Sequence, residues 1–427
     1  MAAAALRWIF ILFFLLSGCR SSETKKVVFS VGGAPNEIEA WEDLLRDFKG
    51  ISGIPVELRR QPADTDRQRQ SLLISLKAGL ADPDVFLMDV SWLALFAWSR
   101  WLDPLPGFDV SPFFAEVVRK VDTFEDRLLS LPVYMDGGLL FYRRDLLERF
   151  GLHPPQTLAE LLSSSLKVQE EMRAENPGFF GFVWQGAQYE GLICNFLEFA
   201  GKQGGFVLHE GKIILDLPAN RKALRFMRDL IWKEKISPPS TFTEMREEQT
   251  RLFFQRGDAL YERNWPYAWS LHRSPDSKVR RKIGLAPFPG LSRGDSVSTL
   301  GGWHIGVSRF SDCKREARDF LKYVVSERGQ KKMVLRLGWN PGRQDLYRDP
   351  EVLERMPQLQ ALQPIFQQTR PRPVVPYYPQ MSEIAQRRIH GVIAGQDSPE
   401  EALREADKEI AALLARYETS RVRGGPP

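Results

Sequence analysis

The chain has 427 residues, of which 43% are hydrophobic and 26% are charged. This ordinary globular composition excludes a disordered or collagen-like protein, and the length predicts two or three domains or one large two-lobed unit. Lysine and arginine number 59 against 54 acidic residues, which gives a net charge of +5. The charges are scattered, and the densest basic run, at 278–282, is typical of a solvated loop. We therefore predict no nucleic-acid partner.

The N-terminal segment is typical of a bacterial lipoprotein signal. Trp8–Leu16 is an apolar run of nine residues, whereas a membrane-spanning helix needs about 20. It is followed by Leu16-Ser17-Gly18-Cys19, which resembles a lipobox; the alternative is an ordinary signal peptide that happens to contain a cysteine. We predict a signal peptide over 1–18, then a lipidated Cys19 and a polar tether over 19–26. The mature chain would be anchored to the membrane without spanning it.

Strands and helices alternate in the first part of the chain. Apolar runs predict strands at 27–31, 54–58 and 85–89, and helical spacing predicts helices over 36–50 and 72–80. Asn36 and Glu39 resemble a capping box at the start of the first helix, and Gly50 would end it. The β-α-β-α-β order predicts a doubly wound sheet, whose ligands bind beyond the carboxyl ends of the strands. Asp89 lies at that edge.

The alternation continues in the remainder of the chain. Predicted strands cover 131–134, 139–142 and 302–307, and predicted helices cover 144–150, 221–235, 317–325 and 402–417. Thr157, with Glu160 three residues later, predicts the start of a further helix. Residues 274–298 are rich in proline, glycine and serine and predict a loop, while the prolines of 371–379 predict extended chain.

Eight segments of the sequence resemble the extracellular solute-binding proteins of ABC-type sugar importers. They are 31–39, 82–90, 131–147, 182–186, 262–269, 299–307, 337–343 and 372–380. These segments follow the family's order over nearly the whole mature chain, and the resemblance is strongest to members that bind trehalose and maltose.

The resemblance implies an α/β fold of the two-lobed periplasmic-binding-protein type (type II). Each lobe would be a sheet flanked by helices, with the ligand cleft between the lobes. The implied N-terminal lobe is 27–133 plus 302–338, the C-terminal lobe is 137–298 plus 342–420, and the hinge crossings are 134–136, 299–301 and 339–341. The implied function is a monomeric extracytoplasmic receptor that binds an α-linked disaccharide, such as trehalose or maltose, and delivers it to the permease subunits of an ABC importer.

A sugar site should combine acids, arginine and flat aromatic side chains. Carboxylates and guanidinium groups bind hydroxyl pairs through charge-assisted hydrogen bonds, and aromatic rings cover the apolar faces of the sugar. The resemblance assigns ligand contacts to ten residues: Glu37, Gln68, Asp89, Tyr134, Asp136, Trp265, Tyr267, Gly302, Trp303 and Arg372. Arg343 is a weaker candidate.

Several of these residues also have a purely structural explanation. Glu37 is an acid in the first turn of a helix, Asp89 can cap the next helix, and Asp136 can belong to a turn before two glycines. Aromatic residues such as Trp265 are most often core residues. For Asp89 we favour the ligand site, because its strand ends at the ligand edge of the predicted sheet.

Two positions depart from the family pattern. The family has an arginine at position 68 and a threonine near position 63, where this chain has Gln68 and Ala63. Losing an arginine removes a bidentate donor, so the sugar preference is expected to differ. Arg69 is adjacent, and the sequence leaves open whether Gln68 or Arg69 faces the cleft.

Other classes of protein were weighed against this one. The five histidines show no metal-binding spacing, and the chain has neither a P-loop nor a GxSxG motif, so we predict no metal, no cofactor and no enzyme. The main alternative is a surface glycoside hydrolase that uses Asp89 and Asp136 as its carboxylate pair. An adhesion or structural lipoprotein is a third possibility. The sequence also leaves open whether Cys194 and Cys313 form a disulfide.

Overall fold

A computed structural model describes residues 26–62, 64–209, 212–366 and 369–422. The predicted signal peptide over 1–18 and the predicted lipidation site Cys19 lie outside these residues, as does Ala63. The strands are β1 (Val27–Val31), β2 (Val56–Arg60), β3 (Val85–Asp89), β4 (Thr123–Phe124), β5 (Arg127–Leu128), β6 (Ser130–Gly137), β7 (Leu139–Arg143), β8 (Phe180–Val183), β9 (Val207–His209), β10 (Lys212–Ile214), β11 (Ala259–Asn264), β12 (Ile283–Pro287), β13 (Ser298–Val307) and β14 (Thr369–Arg370).

Helices surround these strands. They are α1 (Pro35–Ser52), α2 (Thr65–Lys77), α3 (Leu93–Trp98), α4 (Ala115–Val117), α5 (Arg144–Arg149), α6 (Leu158–Met172), α7 (Glu190–Ala200), α8 (Pro218–Trp232), α9 (Ser240–Thr243), α10 (Glu247–Gln255), α11 (Ala268–His272), α12 (Lys314–Val324), α13 (Glu327–Leu337), α14 (Pro350–Arg355), α15 (Gln358–Phe366), α16 (Tyr378–Ile393) and α17 (Pro399–Val422). Short π-helical or 3-10 segments occupy Val118–Asp122, Gly201–Gln203 and Asp345–Arg348.

The first lobe is built on a six-stranded sheet with the order β14-β13-β3-β1-β2, in which β6 also pairs with β13. Strand β1 is parallel to β2 and β3, whereas β13 is antiparallel to β3 and β6. In β3, Val85 and Leu87 join the core beneath α1, α12 and α13, and Phe86 and Met88 join the core beneath α2 and α3. Strand β3 is therefore apolar on both faces because helices cover both faces, as its sequence predicts.

The second lobe is built on a four-stranded sheet with the order β12-β7-β11-β8. One face packs against α6, α7, α8, α16 and α17, and the other packs against α10, α11, α14 and α15. Thr157 caps α6 as predicted, because its Oγ1 accepts a hydrogen bond of 3.1 Å from the Glu160 N–H. The predicted fold class of two lobes, each a sheet flanked by helices, is confirmed.

The three predicted hinge crossings lie side by side. Residues 134–136 are part of β6 and residues 299–301 are part of β13; in the antiparallel pair, Gly301 faces Asp136 and Trp303 faces Tyr134. Residues 339–341 follow α13, and the Met135 N–H donates to Asn340 O at 3.0 Å. The exact bounds of the lobes stay a prediction.

Besides other shifts of two or three residues at element ends, five details of the sequence prediction are wrong. The stretch 274–298 contains a strand, β12, and the extended proline-rich segment ends early because Tyr378 and Pro379 begin α16. Proline is compatible with the first turn of a helix, whose N–H groups have no intrahelical acceptor. Helix α1 continues to Ser52 and ends at Gly53, whose φ is 73°, rather than at Gly50.

The other two errors concern helix starts. The predicted box of Asn36 and Glu39 does not form; Glu37 instead accepts a hydrogen bond from the Ala34 N–H at 2.7 Å. Helix α2 contains residues 72–77 of the predicted stretch but ends before residue 80, and it begins earlier, at Thr65, because Asp64 caps it. A short polar first turn carries no apolar periodicity, which is the signal that located the rest of the helix.

Cys194 lies in α7 of the second lobe and Cys313 lies before α12 of the first, and the two are not bonded to each other. Among the described residues, no helix combines the length and the apolar character that a membrane span requires.

Candidate functional site

A cavity of about 460 Å³ lies between the two lobes. All ten predicted ligand-binding residues line it: Glu37, Gln68, Asp89, Tyr134, Asp136, Trp265, Tyr267, Gly302, Trp303 and Arg372. The weaker candidate Arg343 does not line it; its guanidinium pairs with the Asp345 carboxylate. The tertiary structure thus brings together residues that are spread over more than 330 positions of the sequence.

Glu37 both caps a helix and lines the cavity. Its carboxylate caps the start of α1 at the Ala34 N–H, accepts a further hydrogen bond from the Trp339 side chain and lines the cavity. Desolvation inside the cleft raises the pKa of Glu37 to about 7, and the nearby Glu248 acts in the same direction. Glu37 is therefore partly protonated near neutral pH.

Asp89 ends β3 at the edge of the sheet that faces the cavity. Its Oδ1 accepts hydrogen bonds from the backbone N–H of Ser91 at 2.8 Å and from the Ser91 hydroxyl at 2.5 Å. The same oxygen lies 3.0 Å from Nη2 of Arg372. Asp89 does not cap the following helix, because α3 begins after Trp92 and Trp92 makes no side-chain cap.

Arg372 joins the two lobes through carboxylates. Its Nη1 lies 2.8 Å from Oε1 of Glu190, the first residue of α7, while its Nη2 contacts Asp89 of β3. Glu190 is held in turn by the hydroxyl groups of Tyr378, at 2.6 Å, and Ser382. Arg372 is only 5% exposed, so these ion pairs are shielded from water.

Tyr134 and Asp136 project from β6 into the cavity. The ring of Tyr134 stacks on Trp339, with centroids 4.1 Å apart and an interplanar angle of 29°. Desolvation raises the pKa of Asp136 to about 7; the negative charge of Glu37 contributes, and Arg263 partly opposes the shift. Two carboxyl groups of the cavity are therefore partly protonated near neutral pH, and in the protonated form they donate as well as accept hydrogen bonds.

Aromatic side chains enter the cavity from both lobes. Trp303 of β13 meets Trp92 edge to face at 5.3 Å. Trp265, which follows β11, lies with its ring 4.0 Å from the Arg263 guanidinium carbon, and the Tyr267 hydroxyl donates to Glu248 Oε1 at 2.7 Å. These contacts restrict the orientations of the three rings.

Two glycines of β13 allow this close packing. A Cβ on Gly301 would lie 3.0 Å from Cζ3 of Trp265, and a Cβ on Gly302 would lie 2.6 Å from the Tyr134 carbonyl oxygen. Gly302 also has φ of 130°, which other residues rarely adopt. At Gly302 the backbones of β13 and β6 therefore approach more closely than a side chain would allow.

Gln68, rather than Arg69, faces the cavity. Gln68 is 2% exposed, and its Nε2 is a buried donor without a partner. It shares a helix face with Leu72 and Leu76, which are also buried. Arg69 instead reaches Glu383 of α16, at 2.9 Å.

Further contacts cross the cleft beside the cavity. Besides the pair of Arg69 and Glu383, Asp64 at the start of α2 pairs with Arg246 of the second lobe. Asp66 accepts a hydrogen bond from the backbone N–H of Glu190, and desolvation, together with the Glu190 charge, raises its pKa to about 6. The structure therefore shows the lobes closed on each other.

Sequence reasoning missed several lining residues. They are Asp64, Tyr189, Glu190, Arg246, Glu247, Glu248 and Trp339. Trp339 lies within a segment that carried the family resemblance, and a Trp at a predicted crossing was a usable signal. The charged run 246–248 had no such signal, because acids in the first turn of a helix are common for helical reasons alone.

Comparisons with known proteins agree with this architecture. The profile of the bacterial extracellular solute-binding protein family matches residues 34–331, more than half of the chain. A probable ABC transporter-binding protein of Deinococcus radiodurans is 32% identical over 374 residues, which cover 86% of this chain and 88% of the relative.

Solved structures also match nearly the whole chain. The maltose-bound MalE3 of T. maritima is 38% identical, with a TM-score of 0.85 over 91% of this chain and 99% of its own. An ABC transporter solute-binding protein of Thermotoga lettingae, bound with α-D-tagatose, is 26% identical, with a TM-score of 0.81 over 91% of this chain and 100% of its own.

Fold and cavity together define a two-lobed α/β solute-binding protein. The chain belongs to the bacterial extracellular solute-binding protein family.

The raised pKa values of Glu37 and Asp136 predict a pH-dependent stability. Both pKa values rise from 4.5 and 3.8 to about 7, so between about pH 4 and pH 7 the folded protein holds protons that the unfolded chain has released. The free energy of unfolding of the ligand-free protein should therefore fall as the pH rises through this range. Glu37→Gln and Asp136→Asn should each flatten the dependence of Tm on pH, measured by scanning calorimetry.

The matched control for this experiment is Glu39→Gln. Glu39 lies on the same helix but is exposed and outside the cavity. If the two cavity variants show the same slope of Tm against pH as wild type and the control, the two carboxyl groups do not titrate as described.

Proposed function

We propose that this protein is an extracytoplasmic receptor that binds an α-linked disaccharide between its lobes and delivers it to the permease subunits of an ABC transporter. The observation that carries the proposal is the cavity of about 460 Å³ in which carboxylates, a buried arginine and aromatic faces from both lobes converge. This volume lies within the usual range of small-molecule sites, about 300–1,000 Å³.

The lining matches the chemistry of a neutral sugar. The carboxylates of Glu37, Asp89 and Asp136 and the guanidinium of Arg372 offer acceptors and donors for pairs of hydroxyl groups. The rings of Trp265 and Trp303 offer flat apolar surfaces for the sugar faces. An anionic ligand is less suitable, because Arg372 is already paired with the carboxylates of Asp89 and Glu190.

The preference for a disaccharide is supported by similarity to MalE3, which binds maltose. The T. lettingae relative binds a monosaccharide, tagatose, so members with this fold accept different sugars. The neutral Gln68, which lines the cavity, is the residue most suited to change the sugar preference of this chain, because its buried Nε2 still needs an acceptor.

A calorimetric screen with glucose, maltose, trehalose, sucrose, palatinose and tagatose tests the proposal. We expect saturable, tight binding of one α-linked disaccharide. Chromatography after prolonged incubation should show that this sugar is unchanged. Release of monosaccharides would instead support the glycoside hydrolase. That alternative is disfavoured, because the family profile and the relatives that match this chain are solute-binding proteins. No saturable binding of any sugar would contradict the receptor.

Three substitutions rank the contacts within the cavity. Asp89→Asn removes a charged hydrogen-bonding partner, which costs roughly 1.5–3 kcal/mol, or about 10- to 150-fold in affinity. Trp303→Ala removes a stacking face and should have an effect of similar size. Gln68→Ala removes only neutral hydrogen bonds worth about 1 kcal/mol. Titration with the best sugar measures these effects, and melting curves check folding. If the first two folded variants bind within threefold of wild type, the site is misplaced.

Closure of the lobes on the sugar is a separate prediction. The Arg69–Glu383 pair joins the lobes outside the cavity, so Glu383→Gln should speed sugar release by about two- to fivefold, the size expected for a partly exposed ion pair. Stopped-flow dissociation measures this rate. Solution scattering of the wild type should give a smaller radius of gyration with saturating sugar than without it.

Glu409→Gln is the matched control for the closure experiment. Glu409 pairs with Arg388, at 2.6 Å, between α16 and α17 of the same lobe, so its loss leaves the contacts between the lobes intact. Equal release rates in the two variants would show that the Arg69–Glu383 pair does not hold the lobes together, and an unchanged radius of gyration would contradict a large closure.

We further propose that the receptor is anchored by lipid on Cys19. Cys19→Ala should release the protein from the membrane fraction, because the thiol that carries the lipid is lost, while the sugar affinity of the soluble domain stays the same. Cell fractionation with immunoblotting measures the distribution. A variant that stays membrane-bound and is processed as before would show that Cys19 is not the lipidation site.

A further inference from the structure

A buried ion pair lies behind the sugar-facing side of the second lobe. Nε and Nη2 of Arg263 donate to the two carboxylate oxygens of Glu198 at 2.7 and 2.6 Å, and both side chains are 0% exposed. Arg263 Nη1 also donates to Gln185 Oε1 at 3.2 Å. Neither Arg263 nor Glu198 lines the cavity, so the pair does not touch a ligand there.

The pair contacts one aromatic ring of the cavity, and the charge of Arg263 also acts on Asp136, whose pKa it lowers. The Arg263 guanidinium carbon lies 4.0 Å from the ring centroid of Trp265, within the range of a cation–π interaction. Trp265 lines the cavity and Arg263 does not, so the guanidinium lies behind the ring. Gly301 packs against the ring edge, at Cζ3. The indole is thus held in one orientation with its other surface available to a ligand.

The same pair is fixed to the strands that cross between the lobes. Glu198 Oε1 accepts a hydrogen bond of 3.0 Å from the Thr299 N–H of β13. At Gly138, which follows β6, a Cβ would lie 2.0 Å from Glu198 Oε1 and 2.3 Å from Arg263 Nη2. The ion pair therefore packs tightly against both strands at the point where they enter the second lobe.

We infer that Arg263, held in place by Glu198, is a positioning residue that fixes the indole of Trp265 and so sets the affinity for the sugar ring that stacks on it. A planar guanidinium stacks on an aromatic face while its edge donates two hydrogen bonds to a carboxylate, whereas the ammonium of lysine has neither a flat face nor a bidentate edge. The inference rests on the proposed sugar-binding function. It gives the ion pair a role in ligand affinity although neither of its residues lines the cavity.

The competing explanation is that the pair only stabilises the fold. Removing one partner would leave a buried, uncompensated charge and would destabilise the lobe whatever its role in binding. The test therefore replaces both partners at once, as Glu198→Gln with Arg263→Met. The glutamine keeps an acceptor for the Thr299 N–H, and the methionine replaces the guanidinium with an apolar chain of similar length.

A double-mutant cycle with Trp265→Ala separates the two explanations. We expect the paired substitution to weaken binding of the best disaccharide by about tenfold when Trp265 is present. When Trp265 is alanine we expect a loss of about twofold, because only the action of Arg263 on Asp136 then remains. An equal loss in both backgrounds, or no loss in either, would overturn the inference. Titration calorimetry gives the affinities.

Arg263→Lys keeps the test decisive if the paired variant does not fold. It retains a charge that can pair with Glu198 but loses the planar face, so it should weaken binding about threefold only in the presence of Trp265. Equal binding of this variant and wild type would overturn the inference. Asp84→Asn is the matched control, because Asp84 is a buried carboxylate that accepts from Val28 N–H at the far end of β3 and does not line the cavity.

The same data separate this inference from the proposed function. If the wild type binds no sugar, the proposed function fails. Suppose instead that the wild type binds sugar and that Trp265→Ala weakens this binding. If neither the paired substitution nor Arg263→Lys then changes the affinity, only the positioning role fails.

Discussion

The burial of Arg372 is the constraint on which the arrangement of the two lobes depends. A guanidinium removed from water needs carboxylate partners, and here they come from opposite sides of the cleft: Asp89 at the end of β3, and Glu190 at the start of α7. Neither lobe alone supplies both partners. The lobes must therefore approach closely for this charge to be satisfied, and the cavity is the space that remains between them.

The close approach of the lobes also explains the raised pKa values of two acids in the cavity. Seven carboxylates, from Glu37, Asp64, Asp89, Asp136, Glu190, Glu247 and Glu248, face two guanidinium groups, from Arg246 and Arg372. Because desolvation and mutual repulsion disfavour so many negative charges, the pKa values of Glu37 and Asp136 rise to about 7. A carboxyl group that is protonated part of the time both donates and accepts hydrogen bonds, which suits a ligand made of hydroxyl groups.

The aromatic surfaces are ordered by polar groups behind them. Trp265 is backed by Arg263, and Tyr267 is held by a hydrogen bond to Glu248. Such support reduces the conformational entropy that would be lost when a ligand binds. The support of Trp265 also extends to one of the strands that cross between the lobes, because Glu198, the partner of Arg263, accepts a hydrogen bond from Thr299 of β13.

The sequence determined the local elements and the class of protein. Apolar runs located β1 and β3, Thr157 marked the start of α6, and family-like segments pointed to ten residues that all line the cavity. Only the tertiary structure decided that Gln68 faces the cavity while Arg69 pairs with Glu383, because neighbouring residues of a helix point about 100° apart and packing sets the rotation. Only the tertiary structure decided that Glu190 is a partner of Arg372 and that the pKa values of two acids rise. Both depend on which groups from distant parts of the chain share a space without water, and a pattern along the chain does not contain those distances.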